Sequence, residues 1–241
     1  MNFVYPYIKG PSWWGKSGQW DELKWSIRSV EKHYKDARCV VVGDKPDFDV
    51  EHIPVERINT WQHCDVRHAD VIKKLSAFID TGAECFVLMY DDVYFLRSIT
   101  QRMIQTPYAL CKIEDLKTYR RGKGGLLYSR LWDETYKKVA EMTDELYDWE
   151  THLPRFLWSD RVKWLIETFD LMHNGLIFTS LYGALWGENP VLLDENPEIR
   201  AHLDVMGPGV DLDEVFSKHF LVIDDNACTP QVTALIEKKC K

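Results

Sequence analysis

Apolar residues in the first third of the chain arrive in short unbroken runs, and the stretches between those runs carry a helical period. Residues 3–8 read as a first strand, broken by Gly10-Pro11-Ser12 and followed by an aromatic loop at 13–18. Residues 38–44, Arg-Cys-Val-Val-Val-Gly-Asp, are β-branched and end in Gly-Asp, the pattern of a strand buried on both faces. A short strand at 53–55 and a longer one at 84–90 complete the set. Between them, Leu23, Trp25, Ile27 and Val30 recur through 21–34, and Val71, Leu75, Phe78 and Ile79 through 68–81. Both spacings predict amphipathic helices. Alternation of this kind predicts an α/β fold: a mostly parallel central sheet with helices on both faces.

The second half changes character. Residues 132–147, 158–171 and 176–186 read as helices, Phe220-Leu221-Val222-Ile223 as a late strand, and 230–241 as a helix with a basic end. This gives a helical C-terminal half. Neither an internal repeat nor a low-complexity segment divides the 241 residues, so one domain is expected.

The chemistry concentrates where strand 84–90 stops. Phe86-Val87-Leu88-Met89-Tyr90 runs into Asp91-Asp92, and apolar residues resume at Val93. Two adjacent carboxylates between apolar flanks are expensive unless paired or metal-bound. The carboxyl ends of strands are where open α/β sheets bind ligands. Hard oxygen ligands there suit Mg²⁺ or Mn²⁺ against a phosphate; an Asp-rich turn is the alternative. Asp44 ends the second strand and is placed to meet a base or ribose, or else forms a plain Asp-Lys-Pro turn. From the helix before the acidic strand, Arg67, His68, Asp70, Lys73 and Lys74 offer a cation for a pyrophosphate, with Lys73 the chosen candidate; a solvated helix face is the alternative. Trp149-Glu150-Thr151-His152-Leu153-Pro154-Arg155-Phe156 packs an acid, an imidazole and a guanidinium into an aromatic turn. His152 is a candidate base for a hydroxyl, and Arg155 a candidate phosphate clamp; a helix start capped by Thr151 is the alternative. His173-Asn174-Gly175 is read as opening the helix that follows. His219 and Asp224-Asp225-Asn226 flank the late strand, and Asp225 is the candidate third metal ligand.

Composition narrows the classes. Net charge is -8, so the global field disfavours non-specific nucleic-acid binding. The basic run 117–123 remains a local anion holder, and the overlapping stretch 121–125, with glycines at 122, 124 and 125, is a candidate mobile loop. Aromatic residues reach 13%, which suits stacking on bases and sugars as well as a large core. None of the six cysteines forms a Cys-x-x-Cys pair. Cys39 and Cys85 read as buried thiols, and reduced cysteines point to a cytoplasmic protein. The start of the chain lacks a signal-peptide pattern, and no apolar run is long enough to span a bilayer.

Three segments, Tyr90-Asp91-Asp92-Val93-Tyr94-Phe95, His152-Leu153-Pro154 and His219 through Asn226, stand in the order seen in the Stealth proteins. These are sugar-phosphate transferases of capsule synthesis related to the lysosomal-enzyme phosphotransferase. The run 20–32 also resembles their first helix. Where that family carries Trp-Val-Asp-Gly after its first strand, this chain has Tyr7-Ile8-Lys9-Gly10. The resemblance extends to the broader GT-A glycosyltransferases, with a Rossmann-like sheet for a nucleotide sugar and an acidic motif for metal and diphosphate. It implies a nucleotide-sugar-binding half at 1–115 and an acceptor-binding, catalytic half at 116–241. It also implies a UDP-linked donor, a carbohydrate or glycoconjugate acceptor, and Mn²⁺ or Mg²⁺ on Asp92 and Asp91. His152 then falls on the catalytic position; in the mechanism read from these residues Asp91 assists Asp92 at the metal, and Arg155 or a residue of the 120–123 loop steadies phosphate. Sugar-1-phosphate transfer, glycosylation of modified DNA bases as in phage enzymes, and a non-catalytic nucleotide-sugar-binding module are the alternatives.

Overall fold

The computed structural model describes residues 1–9, 21–58, 66–116, 119, 126–205 and 210–241. The aromatic stretch at 13–18, the basic and glycine-rich run 117–125 apart from Tyr119, and the side chain of Arg67 lie outside the described residues.

The first half follows the expected alternation. In order come β1 (Asn2–Tyr7), α1 (Glu22–His33), β2 (Arg38–Gly43), β3 (Glu51–Pro54), α2 (Val66–Ile79), β4 (Cys85–Leu88) and β5 (Val93–Phe95). Then come α3 (Gln101–Gln105), β6 (Tyr108–Ala109), α4 (Leu126–Ala140), β7 (Arg155–Trp158), α5 (Ser159–Thr168), α6 (Leu171–Asn174) and α7 (Phe178–Trp186). The chain closes with β8 (Val191–Leu192), β9 (Arg200–Leu203), α8 (Leu212–Val215), β10 (Phe220–Ile223) and α9 (Pro230–Cys240).

The main sheet has the order β3-β2-β1-β4-β7. Its first four strands are mutually parallel and β7 runs antiparallel to β4. The apolar runs are continuous because both faces are covered. Phe3, Tyr5, Val41 and Val87 pack with Leu23, Ile27 and Val30 of α1, while Val4, Val40, Val42, Phe86 and Leu88 pack with Ile72, Leu75 and Phe78 of α2 and Val162 and Leu165 of α5. A second sheet, β5-β10-β9, rests on α9 through Val232, Ile236 and Cys240. Strands of the second half therefore enter both larger sheets.

Several boundaries differ from the sequence reading, each for a local reason. Residue 158 ends β7 rather than opening a helix, because Arg155–Trp158 pairs residue for residue with Leu88–Cys85. The helix read at 132–147 stops at Ala140. Beyond it Thr143 Oγ1 accepts from Glu145 N at 3.3 Å and donates to its carbonyl at 3.3 Å, a local alternative to helical bonding. His173 and Asn174 close α6 instead of opening the next helix, with Gly175 as its left-handed cap at φ 66°. Cys39 is buried as expected, whereas Cys85 is only half-buried, and the five described cysteines carry free thiols.

At the carboxyl end of β2, a turn is locked by a buried charge pair. Gly43 has φ +127°, and a Cβ there would meet Tyr7 O at 2.3 Å and Lys74 Cε at 2.6 Å. Lys74 pairs with Asp70, one helical turn away, and both side chains are 1% exposed. Burial pulls the Lys74 ammonium below its usual pKa, and Asp70 opposes that pull. Asp70 Oδ1 also accepts from Ile58 N at 2.9 Å, tying α2 to the segment after β3. These two residues are thus not part of a solvated face.

Asp70→Ala should strand a buried ammonium and lower stability by about 3–5 kcal/mol. The double change Asp70→Leu with Lys74→Met should recover most of that loss. Urea denaturation midpoints of both variants check this, and equal losses in the two would refute it.

Candidate active site

The chain crosses from the main sheet to the second sheet through Tyr90, Asp91 and Asp92, and that crossing builds the site. Val93 N donates to Tyr90 O at 3.4 Å, closing a turn, and β5 begins at once. Strand β10 lies antiparallel against β5, and Ile223 N donates to Asp92 O at 3.1 Å. The next residues of that chain, Asp224 and Asp225, therefore emerge beside the aspartate pair. Helix α1 is pinned to the same turn: Ser26 Oγ donates to Val93 O at 2.6 Å, and Ser29 Oγ accepts from Phe95 N at 2.9 Å. Glu22, one turn before Ser26, is carried to the acidic corner as a result.

The electrostatics record the crowding. Burial, then the Asp92 charge, pushes Asp91 up to about 6, with Asp225 adding to the rise and His152 opposing it. Burial, then Asp91, Asp225 and Asp92, pushes Glu22 up to about 8. Four carboxylates thus share one field. Glu22 was not singled out from the sequence; the available signal was its place in the first turn of the helix that follows β1, at the ligand-binding end of the sheet.

The two oxygens of Asp92 differ. Oδ2 lies 3.2 Å from His152 Nδ1. Oδ1 is buried without a hydrogen-bond partner. His152 is half exposed, at 51%, and its ring stacks on Tyr90 with centroids 5.1 Å apart and planes 21° apart. Its φ is +54°, in the left-handed region that non-glycine residues rarely occupy. The surroundings hold it there. Arg200 Nη1 donates to Thr151 O at 2.6 Å, and Thr151 Oγ1 accepts from Leu153 N at 3.2 Å. Thr151 therefore caps a turn, and the segment leads into a strand rather than a helix.

Arg155 is fastened to two backbone carbonyls. Its Nη1 donates to Thr179 O at 2.6 Å and its Nη2 to Trp149 O, so it fastens the 149–155 loop to α7. Asp44 sits at the same sheet end as the aspartates, its Oδ2 accepting from Lys9 N at 2.8 Å. Lys73 donates to Glu56 O at 2.6 Å, beside that end. His219 is at the opposite end of β10, where its carbonyl accepts from Leu96 N at 2.9 Å. The structure thus gathers Asp91, Asp92, Asp225 and His152, keeps Asp44 and Lys73 along the same rim, and leaves His219 apart.

Asp91, Asp92, Asp225 and Glu22 are hard oxygen donors, the set that suits Mg²⁺ or Mn²⁺. The orphaned Oδ1 of Asp92 fits such a cation. A separate group, His202, Asp204 and Asp224, is exposed, and its ligand atoms lie within 4.8 Å of one another; His202 Nε2 is 3.1 Å from Asp204 and 3.4 Å from Asp224.

No family model and no curated protein matches this chain. Among solved structures it is similar to the galactosyltransferase LgtC, solved in complex with donor and acceptor sugar analogues. That similarity has 12% identity over 100% of this chain and 95% of that one, with a TM-score of 0.47. A second LgtC structure, of an active-site mutant, gives 12% identity over 95% of this chain and 88% of that one, with a TM-score of 0.46. The apo form of the glycosyltransferase GlyE from Streptococcus pneumoniae TIGR4 gives 9% identity over 99% of this chain and 59% of that one, with a TM-score of 0.34. These likenesses are loose, and the chemistry of this chain rests on its own side chains.

Proposed function

We propose that the protein is a metal-dependent glycosyltransferase, moving a sugar from a nucleotide-diphosphate sugar to an acceptor hydroxyl. One observation carries this reading: the Asp92 carboxylate offers His152 one oxygen and leaves its other oxygen buried and, among the described residues, unpartnered, at a corner where Asp91, Asp225 and Glu22 act on one another's ionisation. Asp92, with Asp91 and Asp225, would hold Mg²⁺ or Mn²⁺, and Glu22 would add a further carboxyl oxygen that ionises when the cation arrives. When bound, the cation offsets charge on the departing nucleotide diphosphate.

The chain's own groups account for the rest. Asp92 Oδ2 accepts from His152 Nδ1 and orients the ring, and Nε2 is the nitrogen that would take the proton. The acceptor oxygen bonds to the anomeric carbon, the bond from that carbon to the phosphate oxygen breaks, and the electron pair leaves with the diphosphate. The hydroxyl proton passes to His152 Nε2. Asp44 faces the nucleoside, and Lys73 lies near the pyrophosphate. Sugar-1-phosphate transfer would use the same residues; it is favoured by one corner drawing Asp92, His152 and Asp225 from the three Stealth-like segments, and the mass of the product tells the two apart.

His152→Ala should lower kcat by about 10²–10⁴-fold with donor affinity kept. Asp92→Asn should abolish the response to Mn²⁺ while the fold survives, as circular dichroism would show. Wild-type turnover in the Asp92 variant at saturating donor would refute the metal role. A thermal-shift screen of nucleotide sugars, UDP-linked ones included, with and without Mn²⁺ identifies the donor.

The raised carboxyl groups give a second, activity-independent test. Asp91 rises from 3.8 to about 6 and Glu22 from 4.5 to about 8. Groups raised in the folded state stabilise fully below their unfolded values and lose that contribution as pH climbs through the folded ones. The metal-free chain should therefore lose Tm between about pH 4 and 8. Mn²⁺ should restore more Tm at the upper end, and Glu22→Gln should flatten the slope there. A metal-free Tm whose pH course is the same in wild type and the Glu22 variant would show that Glu22 is not raised in the folded chain.

A further inference from the structure

A cavity of about 300 Å³ opens on the outer side of β7, bounded by α3, the 149–155 loop, and α5 and α7. We infer that it is a saccharide subsite, and that it receives the acceptor's sugar ring; the second half of that statement rests on the transferase reading above. Its size is at the lower end of small-ligand pockets, which run to about 300–1,000 Å³. That suits a single ring better than a long glycan.

The lining has the character that sugars demand. A pyranose shows apolar C–H faces and a rim of hydroxyls, so it needs flat aromatic walls with a few polar groups at the edge. Trp149 forms a buried floor, 2% exposed, while Trp158 is 40% exposed, unusual for so large an apolar side chain. Trp186 and Tyr182 form a further wall, their centroids 4.9 Å apart. Arg161 lies over Trp186 at 5.3 Å and beside Tyr182, so its fork of donors stands at the rim of that wall.

The floor is built into the helix beside it. Gly183 and Gly187 of the α7 region permit Trp149 to lie against the backbone, since a Cβ at either would come within 2.3 Å or 2.4 Å of the indole. The arrangement also reaches the candidate active site. Thr151 and Pro154 line the cavity and bracket His152, whose Nδ1 is 3.2 Å from Asp92. A ring seated against Trp149, Thr151 and Pro154 would lie along the same loop that carries the candidate base, with Trp158, which pairs with Cys85 at the start of β4, at the far end of the cavity. Trp158 N donates to Tyr182 Oη at 3.0 Å, which ties the end of β7 to that aromatic wall.

The test uses the full chain with ¹⁵N-labelled tryptophan and a panel of methyl glucosides, galactosides, mannosides and N-acetylglucosaminides. Saturable shifts of the Trp149, Trp158 and Trp186 indole signals by at least one glycoside are expected, and their loss in Trp158→Ala. In transfer assays with that glycoside as acceptor, Trp158→Ala should raise the acceptor KM about ten-fold and leave the donor KM unchanged. Because Trp158 is half exposed, the variant should fold, which its Tm reports. Absence of any indole shift across the panel overturns the inference. Transfer with an unchanged acceptor KM in Trp158→Ala overturns it while leaving the transferase reading intact. Saturable indole shifts without transfer to any glycoside from any nucleotide sugar confirm the saccharide subsite and remove the transferase reading.

Discussion

The hydrogen bond from Ile223 N to Asp92 O, 3.1 Å long, is the joint on which the site turns. It fixes the end of β10 against the turn between β4 and β5, and so sets the acidic end of one strand beside the acidic end of another. A slip of one residue in the β5–β10 register would move every side chain of β10 to the other face. Phe220 and Val222 would then leave the core they share with Val93 and Phe95, and Asp225 would leave the aspartate pair. Packing of the second sheet and assembly of the carboxylates are in this sense one constraint.

That constraint brings four carboxylates together at the rim of an apolar core, an arrangement that works against stability. Burial first, and the neighbouring carboxylates second, raise Asp91 to about 6 and Glu22 to about 8. Natural cores tolerate such a concentration of like charge where a ligand relieves it. The surrounding polar bonds keep the cluster from relaxing. Ser26 and Ser29 hold α1 to β5, and Arg155 and Arg200 hold the 149–155 loop by its carbonyls, so His152 remains in a left-handed conformation. Arg155 matters here as a fastener of that loop.

The same loop has two sides. One presents His152 to Asp92 and the other, through Thr151, Pro154 and Trp149, lines the aromatic cavity. Its support is correspondingly dense: Tyr136 Oη donates to Tyr147 O at 2.9 Å and accepts from Trp149 N at 3.1 Å, and Glu150 accepts from Thr179 Oγ1 at 2.5 Å and Ser180 Oγ at 3.0 Å. A segment with so many bonds to its surroundings can aim a side chain, which a freely moving loop cannot.

Much of this was legible from the residues. The β-branched runs, the two amphipathic helices and the Asp-Asp and Asp-Asp-Asn strand ends depend on neighbours in the chain, and a reading of neighbours finds them. What escapes such a reading depends on distant partners. β7 and β9 have four residues each and exist because β4 and β10 pair with them, and the field around Glu22 exists because α1 docks on β5. Lys74 looks like a surface charge by sequence and is 1% exposed because Gly43 lets the backbone close over it. Period and composition are local properties, so the order of residues alone settles the β-branched strands of the first half and the two acidic strand ends. Which carboxylates feel one another, and which oxygen of Asp92 goes without a partner, was left to the packed chain, because electrostatic coupling and hydrogen-bond satisfaction depend on distance through space.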